Sequence, residues 1–359
     1  MSTAVVEFSS KTRPATAQTE PAAQAAPPEA VLTQMITGSL GSQAVYVAAQ
    51  LGIADLLAHG PRNVEDLALA ANVDAPSLYR VLRALASFGV FEEYGLRVFG
   101  LTPTGELLRS DSPRSLRDLA IFMGEDWHWR VWGRTLYSVR TGQAAWKQVH
   151  GQEVFPYFAS NPEAAKIFDR AMTSLSNLAI KAVVEGYDFS DIEALVDIAG
   201  GQGRLLTAIL DEHRSMHGVL FDLRHVLEGA KDNEHVTGLS DRLKLVGGDF
   251  FASVPAGFDG YIMKHIIHDW DDERAVQILR NISKVMRDDG RVMLVEAVIT
   301  TDGKQDFGKL LDIEMLVSPG GKERTAGEYR ELFARSGLKM TRIVQTKSPY
   351  SVIEAVKAL

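Results

Sequence analysis

The run Val-Asp-Ile-Ala-Gly-Gly-Gln-Gly at 196–203 restricts the fold of this chain more than any other feature. Ala194, Leu195, Val196 and Ile198 read as a buried strand, and Leu205, Leu206, Ile209 and Leu210 beyond the glycines fall at helical spacing. A strand that passes through a glycine-rich turn into a helix brings backbone N–H groups close to a nucleotide-like ligand. A dinucleotide fingerprint needs a third glycine or alanine at 206, and the chain has Leu206 there. The turn fits Asp-x-Gly-x-Gly-x-Gly instead, with Asp197, Gly201 and Gly203 in place and Ala199 where the first glycine would stand. Asp222 closes the strand-like Gly-Val-Leu-Phe of 218–221, where a carboxylate can accept both hydroxyls of a ribose. The pair favours an adenosyl ligand over a plain strand-turn-helix corner.

Downstream, apolar strands alternate with amphipathic helices, which predicts a mostly parallel sheet covered on both faces. Tyr261 to Ile267 reads as one strand, and Asp271, Asp272 and Glu273 open the next helix, where acidic groups suit its positive end. Val276, Leu279, Ile282, Val285 and Met286 form its buried stripe, Asp288-Asp289-Gly290 ends it, and Arg291 to Val295 makes the following strand. His268 and Glu296 thereby fall at carboxyl ends of strands, the edge where open α/β sheets bind ligands. Alternation along a strand would turn His265 and His268 to opposite faces, so only one can face a site, and His265 takes the structural place. Leu338–Gln345 and Tyr350–Val356 read as an antiparallel hairpin at the sheet edge.

The segment 195–357 resembles the S-adenosylmethionine-dependent O-methyltransferases of the plant caffeate/flavonoid type and their bacterial relatives that methylate aromatic natural products. Beyond the glycine turn, four further blocks match in order: Phe-Asp-Leu at 221–223, Gly-Gly-Asp-Phe-Phe at 247–251, Met-Lys-His-Ile-Ile-His-Asp-Trp at 263–270 and Gly-Gly-Lys-Glu-Arg-Thr at 320–325. The resemblance implies a Rossmann-like α/β domain with a seven-stranded sheet, of the class I methyltransferase type, behind a mostly helical winged-helix dimerisation domain. It implies S-adenosylmethionine as cofactor, a homodimer, and a hydroxylated small molecule as acceptor. Residue by residue it makes His268 the general base, with Glu296 and Glu323 flanking its ring, and sets Asp269 near a second acceptor hydroxyl. The turn from Ala199 through Gly201 to Gly203, with Ser176, would face the methionine part of the cofactor. Asp222 and Leu223 would meet the ribose, Gly248, Asp249 and Phe250 the adenine, and Lys264 the cofactor's polar groups. Phe168 and Met172 match the family's Phe-x-x-x-Met segment for acceptor contact. No metal is implied, and the spacing of Asp306, Asp312, Glu314 and Glu323 fits no metal loop.

Ahead of this domain, 29–110 reads as short helices and a hairpin. Val64–Ala68, a turn at Asn72-Val73-Asp74, and a helix from Ala75 to Phe88 with Leu78, Val81, Leu82 and Leu85 on one face make a helix-turn-helix. Val90–Glu93 and Arg97–Leu101 supply the wing. A winged helix alone would suggest a DNA-binding regulator, but its recognition helix offers only Arg80 and Arg83 among acidic neighbours, and the chain's net charge is −8. In the resembled family this module serves dimerisation. Residues 111–190 read as a helical linker, whose Trp127, Trp129, Trp132, Trp146, Phe155, Tyr157 and Phe158 offer a surface for a flat ring, although core packing accounts for most of them. Residues 1–28 read as a disordered tail and 191–359 as the cofactor-binding domain. The absence of Cys excludes disulfides and thiolate metal sites, and no stretch approaches a membrane span, which fits a soluble cytoplasmic enzyme.

Methyl transfer to a hydroxyl is an in-line displacement that needs an oxygen nucleophile and a place for its proton. A phenol with pKa near 10 and an ordinary histidine near 6.5 leave full proton transfer uphill by roughly 5 kcal/mol. The base therefore helps most if the proton moves as the O–C bond forms. Taken singly, Glu296 after a strand and Glu323 in a loop read as solvated charges; in register with His268 they read as a set. Relatives that keep the cofactor but decarboxylate or hydroxylate are the alternative, which loss of the His/Glu set would favour.

Overall fold

Helix caps and short β segments fix the N-terminal module. Asn63 accepts the Asp66 amide and Asp74 the Ser77 amide, so that the helices Val64–Ala71 and Ala75–Ser87 each begin on a side-chain cap. Asn72 ends the first in the left-handed region, φ 54°, which asparagine tolerates. Leu78, Leu82 and Leu85 are buried with Ile53, Leu57, Val64, Leu67, Phe91 and Phe99. Strand β1 (Arg62–Asn63), β2 (Phe91–Glu93) and β3 (Val98–Leu101) form an antiparallel sheet in the order β1-β3-β2. The wing therefore has a third strand; two residues are too few to carry an alternation signal.

The structure, a computed structural model, describes residues 27–358, apart from the side chains of Asn177 and Leu178. Most of the tail expected over 1–28 lies outside the described residues, and a helix begins at Pro28 and runs to Gln50. The chain divides into two packing units between Gly41 and Ser42. In the first, Val31, Leu32, Met35, Ile36 and Leu40 of that helix are all exposed. Among the described residues no helix is long and apolar enough to cross a membrane.

Five short helices between Arg117 and Ser160 lead into the long helix Pro162–Gly186, whose Ala179, Ile180 and Val183 join the core of the following sheet. That sheet is built from β4 (Ala194–Ile198), β5 (His217–Asp222), β6 (Leu243–Gly247), β7 (Gly260–Lys264) and β8 (Arg291–Glu296), all parallel. After a parallel pair of two-residue strands, β9 (Val298–Ile299) and β10 (Arg324–Thr325), the chain adds β11 (Leu338–Gln345) and β12 (Ser351–Lys357). The order is β11-β12-β8-β7-β4-β5-β6, with β12 inserted antiparallel between β8 and β11. The chain moves outward from β4 to β6 and then returns to β7, so a crevice opens at the carboxyl ends of β4 and β7, where such sheets bind ligands. Val196, Leu220, Ile262, Met293 and Ile353 are fully buried, as strands covered on both faces require.

Two sequence expectations need correction. The strand expected to run from Tyr261 to Ile267 stops at Lys264: His265 turns into the left-handed region at φ 56°, and Ile267–Asp269 make a single 3₁₀ turn. Strand alternation consequently does not govern His265 and His268, whose rings stack with centroids 5.6 Å apart. The helix opened by Asp271, which caps it by accepting the Arg274 amide, ends at Val285, before the Asp288-Asp289-Gly290 turn.

Candidate active site

On one side of the crevice the glycine turn binds itself to the end of β5. Ala199 adopts φ 56° and its amide donates to the Phe221 carbonyl at 2.7 Å. The left-handed backbone costs an alanine about 1 kcal/mol, and the turn keeps its shape. A Cβ at Gly200 would overlap the Asp197 carboxylate and Leu220, so the close approach there requires glycine. Asp222 accepts the Gly201 amide at 2.8 Å on one carboxylate oxygen and the Leu223 amide at 2.6 Å on the other. Each oxygen retains a further lone pair, enough in number for two hydroxyls. Leu223 itself is 46% exposed. Gly248 donates its amide to the Asp222 carbonyl at 3.0 Å, Asp249 accepts the Phe251 amide at 2.8 Å, and Phe250 packs edge-on against Phe251 and Trp270.

Beneath the turn, Lys264 donates to the Ser176 hydroxyl at 2.6 Å. Burial depresses the Lys264 ammonium to about 8, against the pull of Asp197 and Glu296. Burial likewise pushes Asp197 up to about 7, opposed by Lys264, and its Oδ2 has no hydrogen-bond partner. A buried carboxylate oxygen left unpaired beside a glycine cradle suits a ligand that brings donors or positive charge.

The other side gathers three segments around His268. Glu296, at the end of β8, accepts the amides of Ile266 and Ile267 at 3.1 and 2.9 Å and so fastens the turn that carries His268. His268 Nδ1 lies 2.6 Å from Glu323 Oε1 and 3.4 Å from Glu296 Oε2. All three side chains are buried. Nε2 is left facing away from them, with Asp269 Oδ1 at 3.7 Å, beyond hydrogen-bond reach. Burial alone would depress the imidazolium, but the charges of Glu296 and Glu323, the Glu323 hydrogen bond and Asp269 overturn this and raise it to about 10. Burial and the neighbouring Glu323 push Glu296 up to about 7, with His268 opposing, and burial lifts Asp269 to about 6. His265 behaves differently. Buried against Tyr350 at 4.1 Å, it is held well below 6.5 by burial, Lys264 and His268, and stays neutral beside His268.

Gly321, Lys322 and Arg324, to which sequence reasoning gave no role, lock this arrangement together with Asp312. The loop carrying Glu323 reaches His268 because β10 pairs with β9 beyond the end of β8. Gly321 passes so close to the turn that a Cβ would overlap the His268 carbonyl, while the Lys322 amide donates to that carbonyl at 2.9 Å. Arg324 is fully buried and clamps both loops: it donates to the Ile267 and Trp270 carbonyls at 3.1 and 2.9 Å, to the Lys322 carbonyl at 3.3 Å, and to Asp272 at 2.8 and 3.0 Å. Asp312 accepts the Glu323 amide at 2.9 Å. Of the other acids considered for a metal, Asp306 caps the helix Phe307–Val317 and Glu314 is bonded by His128, Trp132 and Ser318. The donor atoms of His268, Glu296 and Glu323 do lie within 4.8 Å of one another, but the 2.6 Å Nδ1 contact is a hydrogen-bond distance with the proton between the atoms.

Phe168 stacks on Phe158 with centroids 4.6 Å apart and meets Phe122 edge-on at 5.8 Å. Met172 follows one turn later on the same helix and is half-buried. Trp127 packs among Phe122, Trp146, Tyr157 and Phe158, while Trp146 is core and Trp129 is exposed.

Comparison with known proteins gives the family. Residues 132–339 match the model of the O-methyltransferase domain, and residues 33–111 match that of the O-methyltransferase dimerisation domain. A phenazine O-methyltransferase from Lysobacter antibioticus is 44% identical over 333 residues, covering 93% of this chain and 97% of that protein. A phenazine-1-carboxylate N-methyltransferase from Pseudomonas aeruginosa is 34% identical over 327 residues, 91% of this chain and 97% of its own. The solved structure of a methyltransferase of calicheamicin biosynthesis, in its S-adenosylhomocysteine-bound form, superposes with a TM-score of 0.82 at 34% identity, covering 92% of this chain and 98% of that one.

Proposed function

The chain belongs to the O-methyltransferase family and uses S-adenosylmethionine, and from that premise we propose that it methylates a hydroxyl of a planar aromatic small molecule with His268 as general base. The observation that carries this reading is the fixed His268 ring: Nδ1 is committed to Glu323, and Nε2 is the one ring nitrogen left for an acceptor. Asp222 would hold the ribose of the cofactor, Asp249 and Phe250 its adenine, and Ser176, Lys264 and the 199–203 turn its methionine part. Bound there, S-adenosylmethionine supplies an electrophilic methyl carbon. His268 Nε2 would take the hydroxyl proton as the new O–C bond forms and the methyl–sulfur bond breaks, with S-adenosylhomocysteine as the leaving group, and Glu323 and Glu296 would stabilise the imidazolium that results. With the imidazolium near 10, proton transfer from a phenol of pKa near 10 is close to even, and the roughly 5 kcal/mol gap of an ordinary histidine disappears. Phe168, Met172 and the aromatic cluster support a flat ring as acceptor, and Asp269 stands where a second hydroxyl would reach it. The apolar stripe of Val31, Leu32, Met35, Ile36 and Leu40 supports assembly as a homodimer.

The N-methyltransferase relative favours a second reading, a ring nitrogen as acceptor. An aromatic nitrogen attacks through its lone pair and gives up no proton, so His268 would have no catalytic part in it. The test is labelled-methyl transfer by wild type and His268→Ala to hydroxyphenazines, catechols, phenolic acids and polyketide quinols, with phenazine-1-carboxylate as the nitrogen acceptor. Transfer to oxygen that collapses in the variant supports the proposal. Transfer to nitrogen that survives the substitution replaces it with the second reading.

A further inference from the structure

The helix Phe307–Val317 backs the His268 assembly, and it is itself fastened to the helical segment that carries the aromatic wall. Glu314 is the fastening. It accepts His128 Nε2 at 3.0 Å, Trp132 Nε1, and the Ser318 hydroxyl at 2.6 Å, and keeps only 15% of its side-chain surface. Burial opposes its ionisation, but His128, Ser318 and Trp132 together hold the carboxyl below its ordinary range. His128 and Trp132 both lie on the helix Asp126–Trp132, and the His128 ring packs on Phe122 at 4.4 Å, the same Phe122 that meets Phe168.

Two routes lead from Glu314 to the base. Asp312, two residues earlier, projects about 200° around the helix and receives the Glu323 amide at 2.9 Å, so the helix is gripped on opposite sides. Ser318 opens the turn that returns through Gly320, whose amide donates to the Met315 carbonyl at 2.8 Å, to Gly321 and Glu323. A helix is stiff against bending over three turns, so a shift at the Glu314 grip displaces Asp312 and the turn together. A misplacement of about 1 Å at such a support is enough to cost a site its alignment.

We propose that Glu314 is a positioning residue that, by bonding the helix Asp126–Trp132 to the helix Phe307–Val317, sets the seat of Glu323 on His268, so that the aromatic wall and the base are aligned by one buried carboxylate. The proposal rests on the reading of His268 as the base, and its test is independent of any acceptor. Full-length protein labelled with ¹⁵N-histidine and saturated with S-adenosylhomocysteine is titrated by imidazole NMR, with His268 assigned by the signal lost in His268→Gln. In Glu314→Gln the His268 midpoint falls by about one unit or more, while S-adenosylhomocysteine affinity stays within about twofold of wild type. In a Glu323→Gln background the same substitution moves the midpoint no further, because the two act through one contact. A folded Glu314→Gln whose His268 titrates as in wild type overturns the proposal, as does a shift that adds in full to that of Glu323→Gln. If Glu314→Gln fails to fold, the pair Trp132→Phe and His128→Gln, each removing one donor, is read against the same two outcomes. Failure of the parent reading is separate: it shows as wild-type methyl transfer by His268→Ala.

Discussion

Asp222 is held by the amides of Gly201 and Leu223, which are parts of the same strand-turn-helix-strand unit, whereas His268 is held by Glu323, 55 residues away in sequence, and by Glu296 from another strand. The glycine-turn side of the crevice is thus a local construction in which backbone groups do the holding, and the His268 side is assembled from three loops by a buried arginine, a glycine and two acids. A local site tolerates change elsewhere. An assembled one fails when any of its struts is removed, even if no residue that meets the acceptor is touched.

The sharpest way to break the base side alone is His268→Ala. Turnover of a hydroxyl acceptor falls by about 10²–10⁴, measured as labelled-methyl transfer at saturating cofactor. Next in size are the struts. Arg324→Met or Gly321→Ala lets the Glu323 loop drift from the His268 turn, and transfer drops about 10²-fold. Equilibrium binding of S-adenosylhomocysteine should stay near wild type in both, and a parallel loss of affinity would show that the two sides are not separable.

Much of the glycine-turn side was legible in the sequence because it is contiguous. The order of glycines, the departure at Ala199 and the acid at the end of the next strand all sit between 197 and 222, and the structure places them together. His268, Glu296 and Glu323 were also named in advance, but only through the resemblance of whole blocks, since neither periodicity nor spacing says that three loops meet. The locking residues escaped for a physical reason. Arg324 in a charged loop reads as solvated, and its complete burial is met by five hydrogen bonds to four acceptors that converge on it. The path of the chain at His265 was misread because a strand's apolar run continues through Ile266 and Ile267, while the backbone reverses hand to bring His268 under Glu323.

Acidity sharpens the contrast further. The free imidazolium stays protonated up to about 10, so neutral protein must shed that proton or meet the acceptor as its anion. For a phenol of pKa near 10, kcat/KM therefore rises by about tenfold per pH unit from pH 7 toward 9, a slope that a pH series at fixed ionic strength reads directly. The smallest effect is expected on the cofactor side, where Ala199→Gly relieves the left-handed alanine. Thermal unfolding should show a gain below about 1 kcal/mol, since the freer glycine also loosens the unfolded chain.

The most direct test of the division is calorimetric titration of S-adenosylhomocysteine into Asp222→Ala and His268→Ala side by side with wild type. The account predicts that Asp222→Ala loses most of its affinity and that His268→Ala binds as wild type does. Equal affinity in all three would remove Asp222 from the ribose, and a loss in His268→Ala as deep as that in Asp222→Ala would contradict the separation of the two sides.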